Sequence, residues 1–249
     1  IYTGEDTLSL HDALPISCAK CSRGSPNTRS TGSTNCCPGT SILPSPFSKP
    51  PDMSTVVPLK PRTRKPADLL QLRIDLAGIK PAIWRRIVVP ESITLARLHH
   101  VIQCVMGWHG GHLHEFEIAG ERYGIPDPEF DWGDPPRSEQ RIQLKTALAG
   151  MKSFKYLYDF GDHWEHRIKV EKRHPPDPIL SASALCLTGA NAAPPEDVGG
   201  APGYADFLEA ILDPDHPEHH AMREWCGEDF EPGRFDFSAV NERLERLKV

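Results

Sequence analysis

The segment FKYLYDFGDHWEHRIKVEKR, residues 154–173, alternates apolar and polar side chains on either side of a single glycine. Successive side chains of a strand point to opposite faces of the sheet, so Tyr156 and Tyr158 share one face. Gly161 interrupts the pattern, and a glycine inside a strand weakens it and lets the chain turn. The segment therefore predicts two strands that meet at Gly161 in a corner rich in aspartate and histidine.

A β-hairpin and a helix are predicted upstream of this strand pair. Residues 69–79 alternate apolar and polar side chains, and residues 82–90 form a second strand-like run after a short turn. Thr94 can cap a helix with the apolar period of an α-helix, and Gly107 can end it. Residues 112–125 predict a strand, a tight Ala-Gly turn and a second short strand.

The rest of the domain favours loops and helices. Residues 126–140 and 174–202 are rich in turn-forming residues and predict loops, whereas residues 144–150 predict a short helix. The order of elements predicts an α+β fold, a mainly antiparallel sheet with one long helix after the first hairpin and three C-terminal helices packed on it. Those three helices are expected at 203–212, 216–226 and 238–247.

The N-terminal part of the chain differs in composition from the rest. Within residues 1–66, the part from residue 17 onward is dominated by Ser, Thr, Pro, Gly and basic residues. Such a segment buries too little apolar surface to fold. Residues 6–17 resemble the translation of a sequencing adapter, so the extension is expected to be disordered or artefactual, with Met53 as the true start. The folded domain is predicted to span residues 67–249.

The charge of the two parts bears on partners. Residues 1–66 carry eight Lys/Arg and four Asp/Glu, a net charge of +4, whereas residues 67–249 carry 20 and 30, a net charge of −10. Phosphate neutralisation by Lys and Arg supplies most non-specific nucleic-acid affinity, so nucleic acid is an unfavoured partner for the acidic domain. Arg85 and Arg86 are the candidate nucleic-acid contacts if a local basic patch exists.

Hydropathy and cysteine usage predict a cytoplasmic protein. The apolar runs are far shorter than the roughly 20 residues that cross a bilayer, and no secretory signal is recognisable, so no membrane partner is expected. Cys104, Cys186 and Cys226 are an odd number of widely spaced cysteines in the domain, a pattern typical of free thiols in a reducing compartment.

Four stretches make the chain resemble a known family. Together, LRIDLAGIKPAIWRRIVVP, VIQCVMGWHGGHLHEFEIAGERYG, YLYDFGDHWEH and PPEDVGGAPGYADFLEAILDPDHPEHHAMREW are similar to the plasmid pRiA4b ORF-3-like family, some of whose members are labelled TnpR-like passenger proteins of an insertion element. The resemblance runs from about Leu70 to Leu247. It implies a compact α+β domain of bacterial chromosomes, plasmids and mobile elements, and it implies no reaction.

One departure from the family pattern concerns cysteines. Many relatives have a C-x6-C-P-P-E-D-C-G-G sequence in the long loop, whereas this chain keeps Cys186 and has Ala193 and Val198 at the other two positions. A thiolate metal site needs three or four ligands. Whatever the cysteine cluster does in relatives, this chain does not do it with Cys186 alone.

The histidines and aspartates around the strand corner are the strongest candidates for chemistry. They suit a divalent metal ion as the cofactor, although no diagnostic metal motif is present. The alternative is a structural corner in which Asp side chains accept backbone N–H groups and His166 lies in the core. The candidate cluster is His112, His114, Asp159, Asp162, His163 and His166, with His112, His114, Asp159 and His166 as the metal ligands.

Two loops offer further contacts. Trp132 is the tryptophan expected to be exposed, and Glu196 and Asp197 lie in a loop framed by proline and glycine. The first functional hypothesis is a non-catalytic binding or accessory domain associated with mobile elements, whose partner is a protein or a small ligand. The second is a metal-dependent, hydrolytic enzyme that uses the His/Asp cluster, and the third is a DNA-associated regulator.

Overall fold

The computed structural model describes residues 67–126, 134–178, 180 and 183–247. The predicted N-terminal extension, including Met53, lies outside the described residues, and so does Trp132.

The described residues form eight strands in one sheet. The neighbours in the sheet are, in order, β5, β4, β3, β6, β7, β1, β2 and β8, and every pair is antiparallel except β4 with β5. The α+β class with a mainly antiparallel sheet is therefore confirmed. The strands are β1 (Leu69–Leu76), β2 (Trp84–Pro90), β3 (His114–Ile118), β4 (Glu121–Gly124), β5 (Arg137–Ser138), β6 (Ser153–Tyr158), β7 (Trp164–His174) and β8 (Leu185–Ala190).

Five helices accompany the sheet. The long helix after the first hairpin begins and ends as predicted: the Thr94 hydroxyl accepts the Arg97 N–H, and Gly107 adopts the left-handed conformation with φ of 87°. The fourth helix contributes no buried residue and contacts the third through the rings of Phe207 and Trp225. The helices are α1 (Leu95–Met106), α2 (Leu144–Leu148), α3 (Gly200–Leu212), α4 (His219–Cys226) and α5 (Phe237–Arg246).

One face of the sheet is apolar and the other is charged. Alternate residues of β1 on the inner face are fully buried, and strand pairing aligns them with buried residues of β7, such as Ile74 with Ile168. On the outer face, Arg86 forms an ion pair with Glu171 at 2.6 Å. This is the one-sided burial expected of an antiparallel sheet that packs helices on a single face.

The eighth strand was not anticipated, because the sequence predicts a loop over 174–202. β8 lies at the sheet edge, and its pairing with β2 shifts register between Arg86 and Ile87. The burial of its side chains also lacks the regular alternation that marks a strand. The same predicted loop also contains the start of α3, which begins at Gly200.

The edge strand is covered by a side chain of α5. The Asn241 amide accepts the backbone N–H of Cys186 at 2.9 Å and donates to the Cys186 carbonyl at 3.1 Å. Asn241 thereby satisfies two backbone groups that an edge strand otherwise leaves unpaired.

We expect Asn241→Ala to lower the free energy of unfolding by about 1–3 kcal/mol, because two part-buried backbone groups lose their partner. Urea unfolding measures this loss. Glu242→Ala, on the exposed side of the same helix, is the control with an expected change below about 0.5 kcal/mol. Equal stability of the two variants would contradict the bracing role of Asn241.

Candidate functional site

The corner between β6 and β7 is built on Asp159. This residue holds a left-handed backbone, with φ of 57°, and its Oδ1 accepts the backbone N–H groups of Gly161 at 2.8 Å and Asp162 at 3.3 Å. These are the turn hydrogen bonds that the structural-corner alternative assigns to Asp159. Its second carboxylate oxygen, Oδ2, faces a different loop and is the one available to a ligand.

A second loop, residues 194–200, lies against this corner. The Oδ2 atom of Asp162 accepts the backbone N–H of Gly199 at 3.2 Å. At Gly200, where φ is 67°, a Cβ atom would lie 2.5 Å from the Asp162 carbonyl oxygen. Only glycine allows this approach, so the Gly-Gly pair fixes the loop on the corner.

A third loop, residues 108–112, completes the site. The indole N–H of Trp108 donates to the Pro194 carbonyl at 2.9 Å. Both the backbone N–H and the ring Nδ1 of His109 contact Glu196 Oε2, at 3.0 and 2.8 Å. The loop that carries the two glycines after His109 is thereby held against the 194–200 loop.

Glu196 also reaches the sheet. The Tyr158 hydroxyl donates to Glu196 Oε1, so each oxygen of this carboxylate has a partner from a different element. Burial and the hydrogen bond to Glu196 raise the pKa of Tyr158. Burial alone would raise the pKa of Glu196, but the hydrogen bonds from Tyr158 and His109 outweigh it and lower that pKa below its usual value. Glu196 is thus a charged acceptor that ties the loops to β6.

His112 is the point where the loops converge. Its Nδ1 lies 3.5 Å from Asp159 Oδ2, and its Nε2 lies 3.2 Å from Asp197 Oδ1. One ligand atom from each of these three residues lies within 4.8 Å of the others. His112 and Asp197 remain solvent-accessible, with side-chain exposures of 32% and 72%. We call His112, Asp159 and Asp197 the corner triad.

The other predicted cluster residues lie elsewhere. β3 starts at His114, so His112 precedes the strand and the two histidines do not share a strand face. His114 is buried, pairs with Glu139 at 2.9 Å, and stacks on the His99 ring with 3.6 Å between centroids. His163 is exposed within the turn, and its backbone N–H donates to the Asp159 carbonyl at 2.7 Å. Its imidazole makes no ion pair or hydrogen bond with the triad in the part of the chain that the structure describes.

His166 belongs to the core. It is fully buried, and its Nδ1 donates towards the carbonyls of Trp164 at 3.0 Å and Tyr156 at 3.2 Å. The Trp108 ring meets it edge to face at 5.4 Å. Because Nδ1 carries the proton, Nε2 is an acceptor, and it has no partner among the described residues. His166 does not join the corner triad.

Arg85 and Arg86, the candidate nucleic-acid contacts, point to opposite faces of the sheet. Arg86 pairs with Glu171 on the outer face. Arg85 is buried on the helix side, where its Nε donates to the Val105 carbonyl at 2.8 Å. The two arginines therefore do not form one basic patch.

Sequence reasoning missed a buried polar chain on α1. Gln103 Nε2 donates to the Tyr156 hydroxyl at 3.0 Å, which leaves that hydroxyl to donate to His99 Nδ1 at 2.7 Å. His99 is therefore a neutral imidazole with its proton on Nε2. Its position four residues after Leu95 falls on the apolar side of the helix, and that spacing was the available signal.

The fold and the corner triad define a class: a one-sided α+β sheet domain whose polar loops converge at one end of two central strands. The chain belongs to the family described as plasmid pRiA4b ORF-3-like protein, whose model matches residues 68–239.

The chain is also similar to two proteins over most of their length. The chain is 43% identical over 184 residues to the uncharacterized protein y4hQ of Sinorhizobium fredii, covering 73% of this chain and 93% of the relative. It is also similar to the crystal structure of MM3350, a protein of unknown function from Methanosarcina mazei Go1, with 38% identity and a TM-score of 0.63. That similarity covers 70% of this chain and 97% of MM3350.

No helix in the described part of the chain is both long enough and apolar enough to cross a membrane.

The buried histidines predict acid sensitivity. Burial, with the neighbouring His114 and His100, lowers the pKa of His99 to about 3, and burial lowers that of His166 to about 4. Below about pH 6.5, these two imidazoles bind protons in the unfolded chain but stay neutral in the folded protein. The free energy of unfolding therefore falls as the pH drops from about 6.5 towards 4, by about 1.4 kcal/mol per pH unit for each histidine.

Urea unfolding at several pH values measures this slope. We expect His99→Gln to reduce it by about 1.4 kcal/mol per pH unit over that range, because one of the two buried imidazoles is gone. His100→Gln removes an exposed imidazole from the same helix and should keep the wild-type slope. An unchanged slope in the His99 variant would show that this residue is protonated in the folded protein.

Proposed function

We propose that the protein is a binding domain whose contact site is the corner triad, and that the triad holds a divalent metal ion. The observation that carries the proposal is the convergence of His112, Asp159 and Asp197 from three separate loops. One imidazole and two carboxylates are a donor set that zinc or manganese accepts. Three protein ligands leave at least one coordination position open to a partner.

Backbone strain supports the proposal. Asp159 and Asp197 both hold left-handed backbones, with φ of 57° and 61°, which non-glycine residues adopt at a cost of about 1–3 kcal/mol. The turn hydrogen bonds account for Asp159. Among the described residues, no backbone N–H bonds to the Asp197 side chain, which instead reaches His112. Strained residues of this kind concentrate at functional sites.

The triad differs from an ordinary surface ion pair in its assembly. Asp159 is only 12% exposed at its side chain, and Glu196 anchors the neighbouring loop to Tyr158 and His109. Ligand atoms about 2.1 Å from one tetrahedral metal ion lie about 3.4 Å apart, so atoms that now lie within 4.8 Å of one another need at most a small movement. The exposed Asp197 is the ligand with freedom to make that movement.

We expect the full chain, purified without a histidine tag, to bind one zinc or manganese ion in a calorimetric titration. Replacing a residue that only supports a metal ligand typically lowers the metal affinity about 10–100-fold. His112→Ala should lower it further, because the variant lacks one of the direct ligands. Asp197→Asn should weaken it as well, since a carboxylate charge is removed.

His163→Asn is the matched control for this titration. It removes an exposed histidine of the same corner, and asparagine tolerates the left-handed backbone at that position, where φ is 57°. It should bind the metal as the wild type does. Metal binding that survives His112→Ala, or no binding by the wild type, would contradict the proposal.

Metal-dependent hydrolysis is the second candidate function, favoured by the open coordination position. Binding is preferred because both carboxylates that flank the triad, Glu196 and Asp162, already accept hydrogen bonds. Neither is then a free general base for activating water. Turnover of bis(4-nitrophenyl) phosphate by the metal-loaded chain, abolished in His112→Ala, would favour hydrolysis.

The wider setting is also a proposal. We infer an accessory role on plasmids and mobile elements, including the TnpR-like passenger context, and the plasmid in the family's name is what supports this inference. The free cysteines of the described residues fit the cytoplasm. The partner is expected to be a protein or a small ligand rather than nucleic acid. The net negative charge of residues 67–249 disfavours nucleic acid. The position of Arg85 and Arg86 on opposite faces of the sheet disfavours it further, because the two side chains cannot form one basic patch.

A further inference from the structure

A cleft of about 760 Å³ lies beside the C-terminal end of α1 and does not contain the corner triad. Its walls come from α1, the 192–196 loop, the segment between α4 and α5, and α5 itself. Aromatic and apolar side chains alternate with charged ones along the walls. The apolar and aromatic lining includes Val105, Trp108, Pro194, Phe230 and Phe235.

A buried cation lines this cleft. Arg85 is only 2% exposed, and its Nε and Nη1 donate to the carbonyls of Val105, Trp84 and Ala190 at 2.8 to 2.9 Å. The guanidinium carbon lies 4.3 Å from the centre of the Phe235 ring. A guanidinium has five N–H groups, so these three hydrogen bonds do not use the two N–H groups on Nη2.

Arg85 has no counter-charge in the part of the chain that the structure describes. No carboxylate lies within 4.0 Å of it, although a buried charge is costly unless it is paired. Burial lowers the pKa of Arg85 to about 10, opposed by Cys186 and reinforced by the nearby Arg243, so the side chain remains a cation at neutral pH.

Arg243 adds a second positive charge to the same cleft. It lies on α5 beside Gly107, where a Cβ atom would be 3.6 Å from its Nη1, and it makes no ion pair with any described carboxylate. Two arginines that share one cleft repel each other unless an anion lies between them.

The acidic residues of the cleft do not serve as that anion. Glu196 accepts from Tyr158 and His109, and Asp236 caps α5 through the Ala239 N–H and pairs with Arg234 at 3.5 Å. The two remaining carboxylates, on Asp229 and Glu231, are exposed and pair with neither Arg85 nor Arg243.

We propose that this cleft binds a small organic oxyanion, whose phosphate or carboxylate group lies between Arg85 and Arg243. The forked guanidinium matches the geometry of both anion types. The apolar or aromatic body of the ligand packs against Trp108, Phe230 and Phe235. No residue of the corner triad lines this cleft, so the proposal does not depend on a metal held by the triad.

Calorimetric titration of the full chain with four probes tests the site: phenyl phosphate, inorganic phosphate, benzoate and the uncharged benzamide. Phenyl phosphate or benzoate should bind, and the tighter of the two identifies the anion. Benzamide should not bind, and inorganic phosphate should bind more weakly than phenyl phosphate because it lacks the aromatic body.

Arg243→Gln should weaken the binding of the preferred anion by about tenfold or more, through the loss of a charge-assisted contact. Arg246→Gln, an exposed arginine of the same helix outside the cleft lining, is the matched control and should bind as the wild type does. Both substitutions are at exposed positions, so thermal unfolding should show folded proteins.

Three results would overturn the proposal. They are the absence of binding by both aromatic anions up to about 10 mM, equal binding of benzamide, or unchanged affinity in Arg243→Gln. Inorganic phosphate that binds as tightly as phenyl phosphate would overturn the aromatic half of the site.

Discussion

The hydrogen bonds of Glu196 are the interaction on which the polar end of the molecule depends. One carboxylate oxygen accepts the Tyr158 hydroxyl from the sheet, and the other accepts from His109 in the loop after α1. These bonds tie both the 194–200 loop and the 108–112 loop to Tyr158 of β6 through one charged group. The next residue, Asp197, is thereby held where its carboxylate reaches His112.

A second constraint is steric and comes from the glycine pair that precedes α3. The Gly200 backbone lies so close to the Asp162 carbonyl that any side chain would collide with it. The 194–200 loop is therefore seated by backbone contact on one side and by the Glu196 carboxylate on the other. Such a doubly fixed loop holds Asp197 in a strained conformation at the edge of solvent. A fixed backbone that presents one solvent-exposed carboxylate suits a site that binds an ion.

The parts of the fold that follow from local pattern were predictable. The strand pair around Gly161, the first hairpin and the capped α1 depend on alternation, on one threonine and on one glycine. β8 was not predictable, because its register shift and its Asn241 partner are features of tertiary packing. The helix start at Gly200 was missed for a related reason, since its first turn contains two glycines and a proline.

The site was predictable only in part. His112 and Asp159 were both among the candidates, and Asp197 was named separately as a loop contact. The grouping of these three depends on contacts between residues far apart in the chain, which no spacing rule encodes. The position of His114 and His166 in the core depends on where β3 begins and which face of β7 is buried. The inference that the cleft binds an anion depends on which carboxylates already have partners. Those partners are visible only in the structure.

Anomalous X-ray diffraction from crystals soaked in zinc or manganese would test the central claim most directly. The proposed binding site predicts one strong anomalous peak within bonding distance, about 2.1 Å, of a His112 ring nitrogen and of the Asp159 and Asp197 carboxylates. An anomalous peak only at other residues would contradict the claim. So would crystals in which the metal occupies other sites fully and gives no peak at the corner triad.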